Sequence, residues 1–151
     1  MRVVAEDSGT GRLPGNAQTG ESFGDGPSMP RREPSEVAVN QEDMRRCIEE
    51  CTRCHQTCLR TLQHCLNMGG KHAEANHVRL MTDCVQICQT SADFMLRGSD
   101  LHTETCRACA VACERCAEDC ARMGDDRTMK ECADQCRRCA EMCRHMAGVH
   151  A

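Results

Sequence analysis

The stretch CRACAVACERCAEDC, residues 106–120, places five cysteines at intervals of three, four, three and four residues. Side chains three and four residues apart lie on the same face of an α-helix. When this alternation continues over successive heptads, it marks the positions that face the centre of a helical bundle. The stretch therefore predicts a helix whose inward face is lined by thiols.

Three further segments repeat this spacing, in a region with few glycines and no proline after residue 34. We predict four helices at about 40–67, 73–97, 100–123 and 126–147. Gly69, Gly98 and Gly124 stand where helix C-termini often need a residue with positive φ, and Ser99 and Asp125 follow as candidate N-caps. Because the connections are short, neighbouring helices should be antiparallel. The predicted fold is an all-α, up-down-up-down four-helix bundle with a cysteine-lined core.

Every cysteine of the chain falls on the inward face of one of these helices. This cysteine stripe comprises Cys47, Cys51, Cys54, Cys58, Cys65, Cys84, Cys88, Cys106, Cys109, Cys113, Cys116, Cys120, Cys132, Cys136, Cys139 and Cys143. Aliphatic residues and Phe94 lie beside the stripe, where we expect them to pack helix flanks or a subunit interface. The aliphatic residues include Leu59, Leu62, Leu66, Val78, Val85 and Ile87.

Composition and charge narrow the function classes. The chain has 151 residues, enough for one modest domain. Its net charge of −4, with both signs interspersed, gives no basic footprint for nucleic acid. No apolar run is long enough to span a membrane, and the first twenty residues lack the apolar segment of a secretory signal. We expect a cytoplasmic protein, with neither nucleic acid nor membrane among its partners.

The N-terminal segment differs from the rest of the chain. It holds all four prolines and most of the glycines, contains no cysteine, and shows no sustained period. We predict a disordered or weakly ordered tail at 1–38 and a bundle domain at 39–151. The sequence PSEVAVNQED, residues 34–43, is a candidate for a short helical turn that leads into the first helix.

Packing, disulfides and redox chemistry each explain the stripe poorly. A buried free cysteine behaves as a small hydrophobe, but leucine would bury more apolar area, at roughly 25 cal/mol per Å². Thiols three or four residues apart on a helix meet poorly for an S–S bond, and the expected compartment is reducing. C-x-x-C pairs such as Cys106–Cys109 lie within helices, whereas a redox dithiol lies at a helix N-terminus, which lowers the thiol pKa.

Metal binding explains the stripe better. Structural zinc takes an isolated set of four ligands, and iron–sulfur proteins favour a tight run of loop cysteines, whereas a continuous column makes adjacent sites share sulfurs. Cu(I) is soft and suits bridging thiolates. One monovalent ion per thiolate would also neutralise the buried charge, which gives a capacity on the order of sixteen Cu(I) ions.

Methionine and histidine extend the stripe at both ends. Thioether sulfur is a soft ligand that needs no deprotonation, so we expect these residues to admit and release metal. The end that we predict to be the entrance carries Met68, His77, Met81, Met123 and Met129. The opposite end carries Met44, Met95, His102, Met146 and His150.

Charged and polar residues near the predicted entrance complete this interpretation. Asp125 and Asp126 lie in the loop before the fourth helix, where we expect them to attract cations. His64, His72 and His145 fall off the stripe, and we expect them to be solvent-exposed.

The cysteine segments resemble the bacterial copper storage proteins, in particular their cytosolic branch. The resemblance covers about residues 44–147 and rests on CIEECTRCHQTC (47–58), CVQIC (84–88), CRACAVACERCAEDC (106–120) and CADQCRRCAEMC (132–143). It implies a four-helix bundle that holds many Cu(I) ions in its interior, assembles as a homotetramer and is folded before metal binds. A copper chaperone is a candidate delivery partner. The second helix departs from the pattern, with only two cysteines and with His77 and Met81 on its stripe.

We interpret the chain as a cytosolic Cu(I) store and not an enzyme, since no nucleophile–base pair and no isolated open metal site is apparent. The residues leave three alternatives open: a general sink for soft metals such as zinc and cadmium, a thiol redox protein or cluster-bearing electron carrier, and a purely structural cysteine core. Titration of the apo protein with Cu(I) and Zn(II) separates the first alternative from copper storage.

Overall fold

The computed structural model describes residues 34–148, with side chains from residue 41 onward, as a bundle of four α-helices. Helix α1 spans Pro34–Met68, α2 spans Ala75–Leu96, α3 spans His102–Ala121 and α4 spans Arg127–Met146. A 3₁₀ turn at Gly70–Ala73 joins α1 to α2. The backbones of α1 and α3 each lie against those of α2 and α4, whereas α1 and α3 face each other across the bundle, which gives a square arrangement. The all-α, four-helix prediction is confirmed.

The first helix begins earlier than its cysteine pattern indicates. It starts at Pro34 and not near residue 40, and proline is well tolerated in the first turn of a helix because the amide there has no intrahelical partner. Most of the predicted tail lies outside the described residues, as does His150 at the other terminus. The division of the chain into a tail and a bundle domain stays a prediction.

The glycines end the helices as the sequence indicates. Gly98 adopts φ 65° after α2, and the amide of Ser99 then reaches back to donate to the carbonyl of Phe94 at 3.0 Å. This hydrogen bond satisfies a carbonyl that the end of the helix would leave without a partner. Gly69 and Gly124 also have positive φ, at 68° and 76°.

The N-cap predictions are each displaced. Helix α4 is capped by Asp126 and not by Asp125: its Oδ1 accepts from the amides of Thr128 at 2.9 Å and Met129 at 3.2 Å. Asp125 instead pairs with Lys130 on the surface, at 2.8 Å. Ser99 does not cap α3 either, because α3 begins at His102 and the residue in the cap position is Leu101.

We expect the Asp126→Ala variant to lose about 1–2 kcal/mol of unfolding free energy, because two amides at the start of α4 lose their acceptor. Urea unfolding followed by circular dichroism measures the change. Asp125→Ala is the matched control, and it should change the unfolding free energy by less than about 0.5 kcal/mol because only a surface ion pair is lost. Equal losses in the two variants would contradict the assignment of the cap.

The interior of the bundle consists of small and sulfur-containing side chains. All sixteen cysteines are at most 1% exposed, and Met81 and Met129 are fully buried. Alanine occupies the helix flanks and lets the helices approach closely. The nearly buried alanines include Ala92, Ala110, Ala117, Ala133 and Ala140. Between residues 34 and 148, no helix combines the length and the apolar character needed to cross a membrane.

Candidate metal centre

The sixteen thiols converge on the axis of the bundle, and all of them are free. Sulfur atoms meet even across the diagonals of the square: Cys54 of α1 lies 3.9 Å from Cys113 of α3, and Cys88 of α2 lies 3.9 Å from Cys139 of α4. We call this set of sixteen Sγ atoms the sulfur core. All four helices therefore contribute sulfur atoms to the core.

The sulfur core is organised in overlapping groups of four atoms that lie within 4.8 Å of one another. One group contains Cys54, Cys58, Cys84 and Cys136. Another contains Cys58, Cys116, Cys132 and Cys136. The two groups share Cys58 and Cys136, whose Sγ atoms are 3.4 Å apart. Neighbouring metal positions would therefore be bridged by common sulfurs.

The spacing of the sulfurs suits metal ions without a large rearrangement. A metal held tetrahedrally at about 2.3 Å from sulfur needs sulfurs about 3.8 Å apart. The distance from Sγ of Cys58 is 3.7 Å both to Cys84 and to Cys132. The bundle thus holds its thiols near the separation that a bound ion requires.

The protonation of the core thiols depends on their position. Burial raises the pKa of Cys65, near the end of the core, to about 11. At Cys51, a hydrogen bond with Cys109 raises the pKa, but hydrogen bonds with Cys139 and Cys143 have the larger combined effect. The pKa of Cys51 is therefore lowered to about 7. Since isolated buried charges are costly, the core cannot hold sixteen thiolates unless cations replace the thiol protons.

His77 closes the core at one end. It lies in the first turn of α2 and is 2% exposed. Its Nε2 is 3.3 Å from Sγ of Cys65, and its Nδ1 is 2.6 Å from Oδ2 of Asp119. Because a carboxylate can only accept, Nδ1 donates its proton to Asp119, which leaves the lone pair of Nε2 facing the thiol. Burial lowers the pKa of His77, which favours this neutral ring.

Asp119 was not identified from the sequence. It is 4% exposed, and the guanidinium of Arg122 pairs with its second oxygen. A cleft of about 240 Å³ opens at this point and is lined by His77, Asp119, Arg122 and Met123 among others. The cleft brings solvent to the edge of His77, so this end of the bundle offers a route to the sulfur core.

The methionines predicted at this end occupy three different environments. Met81 is buried, with its sulfur 3.4 Å from Sγ of Cys116. Met129 is buried and lies 3.5 Å from Sγ of Cys65. Met123 is half-buried in the wall of the cleft. Met68 is 58% exposed and lies outside the sulfur core.

At the opposite end of the bundle, a thioether contacts the thiols, whereas the histidine bonds to the loop before α3. The sulfur of Met95 lies 3.8 Å from Sγ of Cys106, and Met44 and Met146 are largely buried nearby. The Nδ1 atom of His102 lies 2.8 Å from the carbonyl oxygen of Ser99 and so donates to it. This histidine serves the loop before α3, unlike His77, which contacts the thiols.

The residues expected to be solvated near the His77 end are instead bonded together. His64 and His72 both approach Oδ2 of Asp126 through Nε2, at 2.8 and 3.1 Å. Asp125 is held by Lys130. Both carboxylates therefore already have partners within the protein, and their attraction of cations to the entrance stays a prediction. His145 pairs with Asp43 at 2.9 Å and is half exposed.

Comparisons with known proteins agree with this geometry. A family profile described as copper storage protein matches residues 40–148. A protein of Nitrosospira multiformis, known from its crystal structure, is 46% identical with a TM-score of 0.68, and the match covers 73% of this chain and 99% of that one. No curated protein sequence matches the chain.

Two solved structures carry descriptions of copper. A cytosolic copper storage protein from Streptomyces lividans, described with five coppers, is 31% identical with a TM-score of 0.68, covering 76% of this chain and 99% of that one. The Cu(I)-bound copper storage protein BsCsp3 is 33% identical with a TM-score of 0.65, covering 70% of this chain and 98% of that one.

Proposed function

This chain belongs to the copper storage protein family. We propose that it stores Cu(I) and that its sulfur core holds many of these ions at once. The observation that carries the proposal is the sharing of buried, free thiols between neighbouring groups of four. Shared thiolates suit a soft monovalent ion, and each ion cancels the charge of one thiolate in a medium that tolerates little net charge.

The cysteine stripe supplies the ligands in this proposal, and the His77 end supplies the entrance. An incoming Cu(I) ion meets Met123 in the cleft and then the free lone pair of His77. From there the thiol of Cys65 and the thioethers of Met129 and Met81 lead into the core. Neutral ligands bind Cu(I) without losing a proton, so they can pass the ion on to thiols, which must lose one.

The setting of this store is part of the same proposal. Free thiols at this density suit the reducing cytoplasm, and the relative from Streptomyces lividans is described as cytosolic. We assign no catalysis to the sulfur core, and we regard a copper chaperone as the candidate donor.

We propose that the bundle self-associates as a homotetramer through its outer apolar side chains. Leu59 and Leu66 on α1 and Val111 on α3 are 49%, 54% and 45% exposed. Contiguous apolar surface commonly marks an interface between proteins, and Leu59 and Leu66 share one face of α1 because they are seven residues apart. Sedimentation velocity of the apo protein tests the oligomeric state.

Titration of the reduced apo protein with Cu(I) against a tight chelator should reach about sixteen ions per chain, one for each thiolate that must be neutralised. A variant with alanine at Cys54, Cys58, Cys84 and Cys136 should bind about four fewer ions for the same reason. Ser91→Ala is the matched control, since Ser91 is fully buried but supplies no thiol, and it should keep the full capacity.

Saturation at only a few ions, with Zn(II) bound as tightly as Cu(I), would contradict copper storage and favour the general metal sink. A red or brown chromophore after anaerobic purification would favour an iron–sulfur cluster. Thiols should be counted in parallel, because oxidised cysteines would lower the capacity without any bearing on the proposal.

A further inference from the structure

We propose that His64, His72 and Asp126 form a second metal site, which lies outside the sulfur core and takes a divalent cation of borderline softness such as Zn(II) or Cu(II). The three side chains come from three different elements: α1, the 3₁₀ turn and the N-cap of α4. Two imidazole nitrogens converge on a single carboxylate oxygen, at 2.8 and 3.1 Å. This site does not depend on copper storage in the core.

The distances among these atoms match those of a metal-bound set. Zinc binds imidazole nitrogen at about 2.0–2.1 Å and carboxylate oxygen at about 2.0–2.2 Å. With angles between 90° and 110° at the metal, the nitrogen and oxygen ligands would be about 2.9–3.4 Å apart. Of the observed separations, 2.8 Å lies just below this range and 3.1 Å lies within it, so a small outward shift of the rings admits the ion.

The bonding of the carboxylate leaves one oxygen for the metal. Oδ1 of Asp126 accepts from the amides of Thr128 and Met129, and Oδ2 accepts from the two imidazoles. The hydrogen bond from His64 lowers the pKa of Asp126, so the group is an anion at neutral pH. To bind a metal, each ring has to present the lone pair of Nε2, with its proton on Nδ1 instead.

The chemistry of this ligand set differs from that of the sulfur core. Imidazole and carboxylate suit Zn(II) and Cu(II), whereas soft Cu(I) prefers thiolate and thioether. A water molecule can complete the coordination, since the side chain of His64 is 31% exposed. The sulfur core and the site at His64, His72 and Asp126 can therefore bind different metals at the same time.

Zn(II) is the probe for the test, and the protein is first saturated with Cu(I) so that the thiols are occupied. We expect about one additional Zn(II) per chain by calorimetry and by metal analysis after desalting. His72→Ala and Asp126→Asn should each weaken this binding by about tenfold or more, by analogy with the loss of a partner in other metal sites. Asparagine is also a good N-cap, so Asp126→Asn separates metal binding from the stability of α4.

A second arm uses the apo protein, so that failure of copper loading cannot obscure the result. Zinc should shift the imidazole nitrogen resonances of His64 and His72 in two-dimensional NMR spectra. His145→Ala is the control, because His145 pairs with Asp43 at the other end of the bundle. The proposal is overturned if wild type and Asp126→Asn bind the same amount of Zn(II), or if these two histidines keep their resonances when zinc is added.

Discussion

Loading the protein with Cu(I) should raise the midpoint of its thermal unfolding by at least about 16 °C. A ligand that binds the folded state alone stabilises it by about 2.7 kcal/mol per site when its concentration is a hundredfold above the dissociation constant. Three such sites contribute about 8 kcal/mol, and 1 kcal/mol moves the midpoint by about 2–4 °C in a domain of this size. Melting of the apo and loaded protein, followed by circular dichroism, measures the shift.

The size of this effect follows from the composition of the core. Cysteine buries less apolar surface than leucine, so the apo bundle forgoes part of the roughly 1.5–3 kcal/mol that each fully buried aliphatic side chain contributes. Removal of copper by a tight chelator should return the midpoint to that of the apo protein. A loaded protein that melts within a few degrees of the apo protein would show that the ions lie outside the core.

Replacing His77 by alanine should slow the transfer of Cu(I) from a chelator into the protein by about tenfold or more, the scale on which disrupted metal-binding partners act. The final capacity should be unchanged, because all sixteen thiols remain. The transfer should slow because Asp119 binds Nδ1 of His77 and thereby holds the Nε2 lone pair towards Cys65. Stopped-flow absorbance of the chelator measures the rate.

Two further variants make this test specific. Asp119→Asn should slow loading by a smaller factor, since the ring remains but its tautomer is no longer fixed. His102→Ala at the opposite end should load at the wild-type rate, because the Nδ1 of His102 is engaged with the loop. If His102→Ala were slow and His77→Ala fast, copper would enter at the other end of the bundle.

The spacing of the cysteines was sufficient to predict the helices and the burial of every thiol. A period of three and four residues confines these side chains to one face, and burying four such faces together leaves few arrangements other than a bundle. The positions of the glycines were similarly informative, because positive φ is available to glycine at little cost. The sequence did not show which of Asp125 and Asp126 caps α4, since two adjacent carboxylates give the same local signal.

The polar network at the His77 end could not be predicted from one-dimensional spacing. Asp119 directly precedes Cys120 and so falls off the stripe, on the flank that faces α2. His64 and Asp126 are 62 residues apart, and their contact depends on how α1 and α4 pack. These residues have no periodic pattern, and their partners come from other elements, so only the assembled bundle brings them together.

The contacts between the first and last helices in the sulfur core have a mechanical consequence. Cys47 near the start of the bundle and Cys143 near its end lie 3.8 Å apart, although 96 positions separate them along the chain. Ions that bridge such pairs would cross-link the first and last helices. An unfoldase that pulls on either terminus would have to break these metal–sulfur cross-links one after another. The protein should therefore resist unfolding more strongly as the number of bound ions increases.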